Sequence, residues 1–203
     1  AIGILAALAE RERSGRGQRV QVSLLDSAIA GLVNAAQAAL VTNREPGRWG
    51  NAHAAIVPYQ LFHASDRPLV VAVGTDEQWR RFCATLGLDA LAEDPRFASN
   101  PERVANRDFL LPHLHERLGE RSAAEWLKAL DDAGVPCALV KSVQEALHDP
   151  AFISGGGLWE MEGRTFGRTR SVASPIRLSR TPASLRRAPP SLGEHTPPDP
   201  EPR

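Results

Sequence analysis

The segment Arg48–Phe62, RWGNAHAAIVPYQLF, constrains this chain most, because its first part cannot form a regular helix. Gly50 allows backbone conformations that are closed to other residues, and Pro58 biases the residue before it toward an extended conformation. The last four residues read as a strand, so the segment predicts a loop that runs into a strand. Loops of this kind often carry binding or catalytic groups, here Asn51 and His53. The alternative is a structural turn with a capping amide and a surface imidazole.

The composition limits the classes of partner. Its 203 residues suffice for one domain of ordinary size or two small ones, and 42% are hydrophobic, so a core can form. The 24 basic residues balance 24 acidic ones, which argues against nucleic acid as the main partner but permits a local cationic patch. No apolar run reaches membrane-spanning length, so no membrane partner is expected. Cys83 and Cys137 lack metal-ligand spacing and predict two reduced, buried thiols in a cytoplasmic protein.

The two ends predict a piece of a larger protein. Ala1–Leu8 opens directly as an apolar helix without an N-cap residue or a charged leader, and a helix this apolar is normally buried. We therefore expect the chain to be cut inside a longer protein. The far end, Pro197–Arg203, is too rich in proline for a helix or a strand ladder and is expected to be disordered.

The first part of the chain has the order helix, turn, strand, helix, which is typical of α/β proteins. Residues 1–13 predict a helix, 14–18 a turn, and Arg19–Leu24 a short strand because its apolar residues alternate. Asp26 or Ser27 can cap a long Ala-rich helix from Ser27 to about Thr42. Small residues along that helix suggest close packing or a subunit contact.

The middle of the chain predicts a hairpin and several amphipathic helices. Ser122 and Glu125 fit a capping box, and Gly134 followed by Pro136 ends the same helix. A helix after Gly74 begins at Thr75 or Asp76. The expected strands are Tyr59–Ala64, Leu69–Val73, Cys137–Val140, Leu158–Glu162 and Thr169–Ala173, and the expected helices are Gln78–Leu86, Asn100–Leu118, Ser122–Ala133, Val143–Leu147 and a short one after Asp149.

The candidate chemical groups are weak when taken singly. Asp76 lies at a strand-to-helix corner, where it is either a first-turn acid favoured by the helix dipole or a carboxylate displayed for chemistry, and the first reading is favoured. Glu194 and His195 could move a proton, but an anchor for the tail is favoured. Gly155–Gly157 lacks the pattern of a phosphate loop and is expected to be a flexible joint. The six histidines form no metal motif, so no metal is expected.

Several motifs in a fixed order identify a family. The opening IGILAAL, the run RERSGRGQ, then VSLLD, GNAH, IVPYQ, DPRF, RVANR, AGVPC and LGEHT resemble the family III CoA-transferases, which include formyl-CoA transferase, carnitine CoA-transferase and alpha-methylacyl-CoA racemase. The segment around Arg48–Gln60 is most similar to the succinyl-CoA:glutarate branch. The resemblance runs from Ala1 to about Thr196 and implies an α/β fragment.

The resemblance implies a division of the chain into domains. Residues 1–45 would be the end of a Rossmann-like large domain with a linker helix. Residues 46–173 would form a small α+β domain with a short antiparallel sheet. Residues 174–203 would return to the large domain and end in a disordered tail. Family members are dimers whose chains interlock like linked rings, so the full-length protein is expected to be a homodimer.

The resemblance also implies a reaction in which CoA moves from an acyl-CoA to a free carboxylate, possibly dicarboxylic. An aspartate attacks the thioester to give a mixed anhydride, then an aspartyl-CoA thioester, which the acceptor carboxylate attacks. No permanently bound cofactor or metal is needed, because CoA is a substrate. In the family this aspartate lies just before the helix that opens this chain, so no catalytic residue is expected here and the 203 residues alone are expected to be inactive.

What carries over is the other wall of the site. Leu24 lies at a position near CoA, as an apolar contact, and the loop aligns with a segment that is glycine-rich in formyl-CoA transferase and covers the aspartyl intermediate. Asp76 is close to the position of a carboxylate base in the racemase branch. The residues expected to bind substrate or form a lid are Gly50, Asn51, His53, Asp76 and Gln78. The alternatives are a racemase-type enzyme and a non-catalytic binding or assembly module of the same fold.

Overall fold

The computed structural model describes residues 1–163, 165 and 167–195. Its helices are α1 Ile2–Ser14, α2 Leu24–Gly31, α3 Asn34–Thr42, α4 Asp76–Leu86, α5 Asp89–Glu93, α6 Asn100–Ala105, α7 Arg107–Leu118, α8 Ala123–Asp132, α9 Val143–Leu147 and α10 Pro150–Ser154, with a 3₁₀ turn at Pro95–Phe97. Its strands are β1 Tyr59–His63, β2 Pro68–Ala72, β3 Cys137–Leu139, β4 Leu158–Gly163 and β5 Gly167–Val172.

A three-stranded antiparallel sheet in the order β1-β2-β3 supports the loop. Tyr59 lies opposite Ala72, and Val71 lies opposite Cys137. Because side chains alternate across a strand, Phe62, Leu69 and Val71 lie on the same face of the sheet, and all three are completely buried. The predicted hairpin of β1 and β2 is therefore confirmed, with ends that shift by one residue.

Helices α4, α7 and α8 supply most of the other half of the core. Their completely buried side chains are Trp79, Phe82, Cys83, Leu86, Leu110, Leu114, Leu118, Ala123, Trp126 and Leu130. Each large apolar side chain that leaves water contributes about 1.5–3 kcal/mol. Among the described residues, no residue before Val57 is buried, so the core belongs to the middle of the chain.

The cap signals are confirmed where the sequence is explicit. The Ser122 hydroxyl accepts a hydrogen bond from the Glu125 N–H, and the Glu125 carboxylate accepts one from the Ser122 N–H. Gly134, just beyond the end of α8, has a φ of 67°, a left-handed conformation that glycine adopts without a steric penalty. The two strands predicted at Leu158–Glu162 and Thr169–Ala173 are confirmed as β4 and β5, and they pair in antiparallel fashion.

The predicted strand Arg19–Leu24 is wrong. A strand needs a neighbour to pair its backbone groups, and none among the described residues pairs with this segment. Leu24 instead begins α2, and Ser23 is the N-cap, since its hydroxyl accepts a hydrogen bond from the Asp26 N–H at 3.2 Å. Neither Asp26 nor Ser27 is the cap that the sequence suggested.

Two helices predicted as continuous are broken. Residues 27–42 do not form one helix, because α2 ends at Gly31 and Val33 takes a φ of 44° before α3 begins. Residues 100–118 form α6 and α7, which meet at Asn106. The side-chain amide of Asn106 donates to the Arg96 and Glu102 carbonyls and so ends the first of the two helices.

The apolar helices are too short to be membrane spans one by one. In the described part of the chain, no single helix is long and apolar enough to cross a membrane. The pair Leu24–Gly31 and Asn34–Thr42 meets the length and composition criterion only when its two helices, bent by 81°, are taken together. The proline-rich tail, predicted to be disordered, lies outside the described residues.

Candidate functional site

The loop before β1 folds back onto the strand that follows it. The Asn51 side-chain oxygen accepts a hydrogen bond from the Leu61 N–H at 2.8 Å, and the His53 N–H donates to the Tyr59 carbonyl at 2.9 Å. Gly50 has a φ of 60°, in the left-handed region, which makes the reversal possible. Asn51 therefore has the turn-forming role that was one of the two interpretations of this segment.

The ring of His53 has a fixed orientation. It stacks on Tyr59 with ring centroids 5.5 Å apart and planes 5° from parallel. Its Nδ1 accepts a hydrogen bond from the Ala55 N–H at 3.0 Å. Because an accepting Nδ1 carries no proton, the neutral ring has its proton on Nε2. His53 thus offers an N–H donor rather than a base at its outer nitrogen.

Side chains from α6 and the start of α7 hold the backbone of the loop. Asn100 donates to the Ala55 carbonyl at 2.8 Å and accepts from the Val57 N–H at 3.1 Å. Arg103 donates to the Val57 carbonyl at 2.8 Å. Arg107 donates to the Ala54 carbonyl at 2.8 Å. The loop is therefore fixed at several consecutive peptide groups.

The indole of Trp49 completes this arrangement on the outer side. The Arg107 guanidinium lies over the Trp49 ring at 4.2 Å from its centroid, a cation–π geometry. Trp49 is 43% exposed, so it forms part of the protein surface beside the loop. On the side of Tyr59, a recess of about 190 Å³ is lined by apolar side chains of the sheet, Val70 and Ala72 among them.

Asp76 lies in the first turn of α4 and has a specific partner. Its carboxylate accepts a hydrogen bond from the Arg103 guanidinium at 2.9 Å. Thr75, not Asp76, is the N-cap, since its hydroxyl accepts from the Gln78 N–H. The predicted first-turn location of Asp76 is confirmed, but its pairing with Arg103 was not predicted from the sequence.

Gln78 is used to close the start of α4. Its side-chain oxygen accepts from the Gly74 N–H at 2.8 Å and from the Thr75 N–H at 3.2 Å. These bonds occupy the acceptor of the amide, so its substrate-binding role stays a prediction. The same holds for Leu24, which is 87% exposed in the first turn of α2 and was expected to contact CoA.

The roles of Asn100, Arg103 and Arg107 were not predicted from the sequence. Their spacing of three and four residues would place them on one face of a helix, which was an available signal. Their targets could not be predicted, because the carbonyls that accept their hydrogen bonds belong to a loop more than 40 residues earlier. Arg103 is fully buried in spite of its charge.

The remaining candidates add no further site. No group of three or more metal-ligating side chains exists among residues 1–163, 165 and 167–195. The Glu194 carboxylate accepts from the Ser191 N–H at 2.7 Å, consistent with the favoured anchor, while Thr196 lies outside the described residues. Cys83 is buried, and burial raises the pKa of its thiol to about 12. Cys137 is only half-buried, so the expectation of two buried thiols is half wrong.

The family model of CoA-transferase family III matches residues 1–196, which include the whole three-stranded sheet and the loop before it. The chain belongs to this family. Its fold is also that of a CAIB/BAIF family protein from Brucella suis, which is 35% identical, with a TM-score of 0.75 over 96% of this chain and 50% of the other.

Two curated relatives are similar to nearly the whole of this chain. The succinyl-CoA:glutarate CoA-transferase of Homo sapiens is 34% identical over 95% of this chain and 44% of its own length. The succinate–glutarate CoA-transferase of Agrobacterium fabrum is 36% identical over 95% of this chain and 48% of its own length. The chain therefore spans about half the length of the curated relatives it matches.

Proposed function

We propose that this chain is the C-terminal part of an acyl-CoA:carboxylate CoA-transferase with a dicarboxylic acid as acceptor. The match of residues 1–196 to the family model carries this proposal. The preference for a dicarboxylic acid rests on the two relatives whose names specify glutarate and succinyl-CoA or succinate.

The proposed reaction divides one exchange into steps on an aspartate that lies upstream of Ala1. A carboxylate oxygen attacks the thioester carbonyl carbon, the C–S bond breaks, and CoA leaves as the thiolate. The thiolate attacks the aspartyl carbonyl, which releases the donor acid and leaves an aspartyl-CoA thioester. The acceptor carboxylate repeats the sequence in reverse order, which yields the new acyl-CoA and the free aspartate.

The loop of Gly50, Asn51 and His53 is proposed as a wall of the site that excludes water. An acyl-aspartyl anhydride hydrolyses easily, so shielding it preserves the acyl group for transfer. The His53 Nε2–H is suited to donate to a carboxylate oxygen of the acceptor, because its Nδ1 is already occupied by the Ala55 N–H. A hydrogen bond of this kind to a charged group contributes about 1.5–3 kcal/mol.

The direct test is to express the complete gene product and screen pairs of acyl-CoA and acid for CoA exchange. Exchange with glutarate or another dicarboxylate as acceptor supports the proposal. Exchange of the α-proton of a 2-methylacyl-CoA without transfer would favour the racemase-type alternative. Absence of both reactions would favour a non-catalytic module. The polypeptide of residues 1–203 is the matched control and is expected to be inactive.

The role of His53 has its own test in the same enzyme. His53→Ala is expected to raise KM for a dicarboxylate acceptor about tenfold, because it removes one charge-assisted hydrogen bond. KM for a monocarboxylate acceptor should change less. His113→Ala, which removes an exposed imidazole from α7, is the control. An equal effect on both acceptors would contradict the assignment.

The complete protein is also proposed to be an interlocked homodimer. The first three helices expose large apolar side chains, among them Ile2 at 86%, Leu24 at 87% and Leu40 at 80%. Large apolar patches on a protein surface usually mark an interaction site, so this many exposed apolar side chains favour a covering partner. A monomeric complete gene product on a sizing column at micromolar concentration would contradict this proposal.

A further inference from the structure

We propose that Arg103 is a positioning residue, which fixes the loop of residues 49–58 to the start of α4 and so aims the His53 donor at the acceptor. The inference rests on the proposed function for the identity of the ligand. It adds that the orientation of His53 depends on a buried guanidinium that never touches the substrate.

Arg103 joins three separate parts of the fold. Its Nε donates to the Val57 carbonyl at 2.8 Å, and its Nη1 donates to the Phe97 carbonyl at 3.0 Å. Its Nη2 donates to the Asp76 carboxylate at 2.9 Å. These partners belong to the loop, to the 3₁₀ turn and to α4. Because a guanidinium is planar and rigid, its three nitrogens fix the directions of all three contacts at once.

The burial of this side chain sets it apart from an ordinary surface ion pair. The Arg103 side chain is 0% exposed, whereas that of Asp76 is 46% exposed. The guanidinium lies over the Trp79 ring at 5.2 Å from its centroid. Taking a charge out of water is costly, and a well-packed apolar side chain often stabilises a core equally well. What a buried arginine adds is therefore a fixed arrangement of its partners, and here Arg103 fixes the location of the Val57 carbonyl.

The location of Val57 controls the part of the loop that carries His53. The Val57 N–H is held by Asn100, and the Ala54 carbonyl is held by Arg107. The Ala55 N–H, between them, is the donor that fixes the His53 ring. A shift of the loop at Val57 would therefore move the hydrogen bond that sets the orientation and the tautomer of His53.

A double-mutant cycle in the complete gene product tests this coupling through the kcat/KM of CoA transfer to a dicarboxylate. Arg103→Met should lower kcat/KM mainly by raising KM of the acceptor. In that background, His53→Ala should cost at least about threefold less than it does in the wild type, since coupled residues are not additive. Arg103→Lys keeps the charge and should recover part of the loss. Additive effects would overturn the proposal.

Arg67→Met is the matched control for stability. Arg67 also joins a backbone carbonyl, that of Val140 at 2.7 Å, to a carboxylate, that of Glu145 at 2.9 Å. It lies in the turn between β1 and β2, at the opposite end of β1 from the loop. We expect Arg67→Met and Arg103→Met both to lower Tm. At temperatures below the unfolding transition of each variant, only Arg103→Met should change the KM of the acceptor. If Arg67→Met raises that KM equally, the effect is one of general stability and the proposal is wrong.

Amide hydrogen exchange tests whether Arg103 fixes the loop, and this test needs no assay of activity. Exchange in the peptide that covers residues 49–58 should become about tenfold faster in Arg103→Met, because a bond between the loop and a charged group is lost. The same peptide should be unchanged in Arg67→Met. Unchanged exchange in Arg103→Met would overturn the inference even if the complete enzyme transfers CoA. If CoA transfer is absent but exchange accelerates, the proposed function fails and the loop positioning stands.

Asn100→Ala covers the case in which Arg103→Met does not fold. This substitution removes the hydrogen bonds to Ala55 and Val57 and leaves every charge in place. It should reproduce the faster exchange of the loop and the non-additivity with His53→Ala. Normal exchange together with additive kinetics would refute the positioning mechanism.

Discussion

The Asp76 carboxylate and the fully buried Arg103 guanidinium form a hydrogen-bonded ion pair at 2.9 Å, across a separation of 27 residues in the chain. Asp76, in the first turn of α4, is therefore the more exposed partner of a buried cation. Arg103 in turn donates a hydrogen bond to the carbonyl of Val57, near the end of the candidate loop before β1. A carboxylate used in this way supports the shape of the site, and the racemase-type role suggested for Asp76 stays a prediction.

Asp76→Ala is expected to destabilise the protein by about 2 kcal/mol, because it leaves a buried guanidinium without its carboxylate. Asp76→Asn should cost less, since the amide oxygen can still accept the hydrogen bond. Urea unfolding of both variants measures the difference. Asp108→Ala, at an exposed acid in α7, is the control and should have almost no effect. Equal losses for Asp76→Ala and Asp108→Ala would show that the pair is not structurally important.

Gln78→Ala is expected to lower the free energy of unfolding by about 1 kcal/mol, because the capping oxygen is lost from the start of α4. Gln78→Glu keeps the oxygen and adds a negative charge near the helix N-terminus, so it should be neutral or stabilising. Thermal unfolding of both variants measures these effects. If Gln78 also contacts the substrate, as the sequence predicts, Gln78→Glu should in addition increase the KM for an acidic acceptor.

The pair of Arg67 and Glu145 is expected to make stability depend on acid pH. The hydrogen bond from the Arg67 side chain, together with the Ser142 N–H, lowers the pKa of Glu145 to about 2. A carboxyl whose pKa is lower in the folded state stabilises the fold above its ordinary pKa. That contribution is then lost as the pH falls from about 4.5 toward about 2.

Arg67→Met should therefore flatten the decline of stability in this range of pH, as measured by urea unfolding at several acid pH values. Lys128→Met breaks an exposed pair with Asp132 and is the control, because pairs of this kind contribute little. An unchanged pH dependence in Arg67→Met would contradict the assignment.

The two thiols are expected to react at different rates. Burial raises the pKa of Cys83 from 9.0 to about 12, and burial also raises the pKa of the half-buried Cys137. Since the thiolate is the nucleophile, a thiol reagent should label Cys137 slowly and Cys83 only after unfolding. Mass spectrometry of peptides from native and denatured protein measures both. Equal labelling of the two in the native protein would contradict the burial of Cys83.

The raised pKa of Cys83 also predicts the direction in which stability changes at alkaline pH. A thiol whose pKa is higher in the folded state contributes fully below its ordinary pKa of 9.0, and that contribution falls as the pH rises toward about 12. Cys83→Ala should therefore reduce the loss of stability above about pH 9, although it lowers stability at neutral pH by leaving a small cavity.

Local signals in the sequence predicted the parts of the fold that local physics controls. The capping box of Ser122 and Glu125, the terminating Gly134 and the β1–β2 hairpin each depend on groups a few residues apart. An ordered set of short motifs identified the family, because many weak signals in one order rarely coincide by chance. The identity of Asn51 and His53 as residues of the candidate loop was also available from the sequence.

Only the tertiary structure decided which groups those loop residues meet. The segment Arg19–Leu24 alternates like a strand, yet alternation cannot supply the neighbouring strand whose backbone it must pair with. The break at Asn106 depends on its bond to the Arg96 carbonyl, across ten residues. The burial of Arg103, and its choice of Val57 and Asp76 as partners, depends on contacts between residues that lie 46 and 27 positions apart. Periodicity describes one element at a time, so it reveals a helix face but not the loop that the face holds.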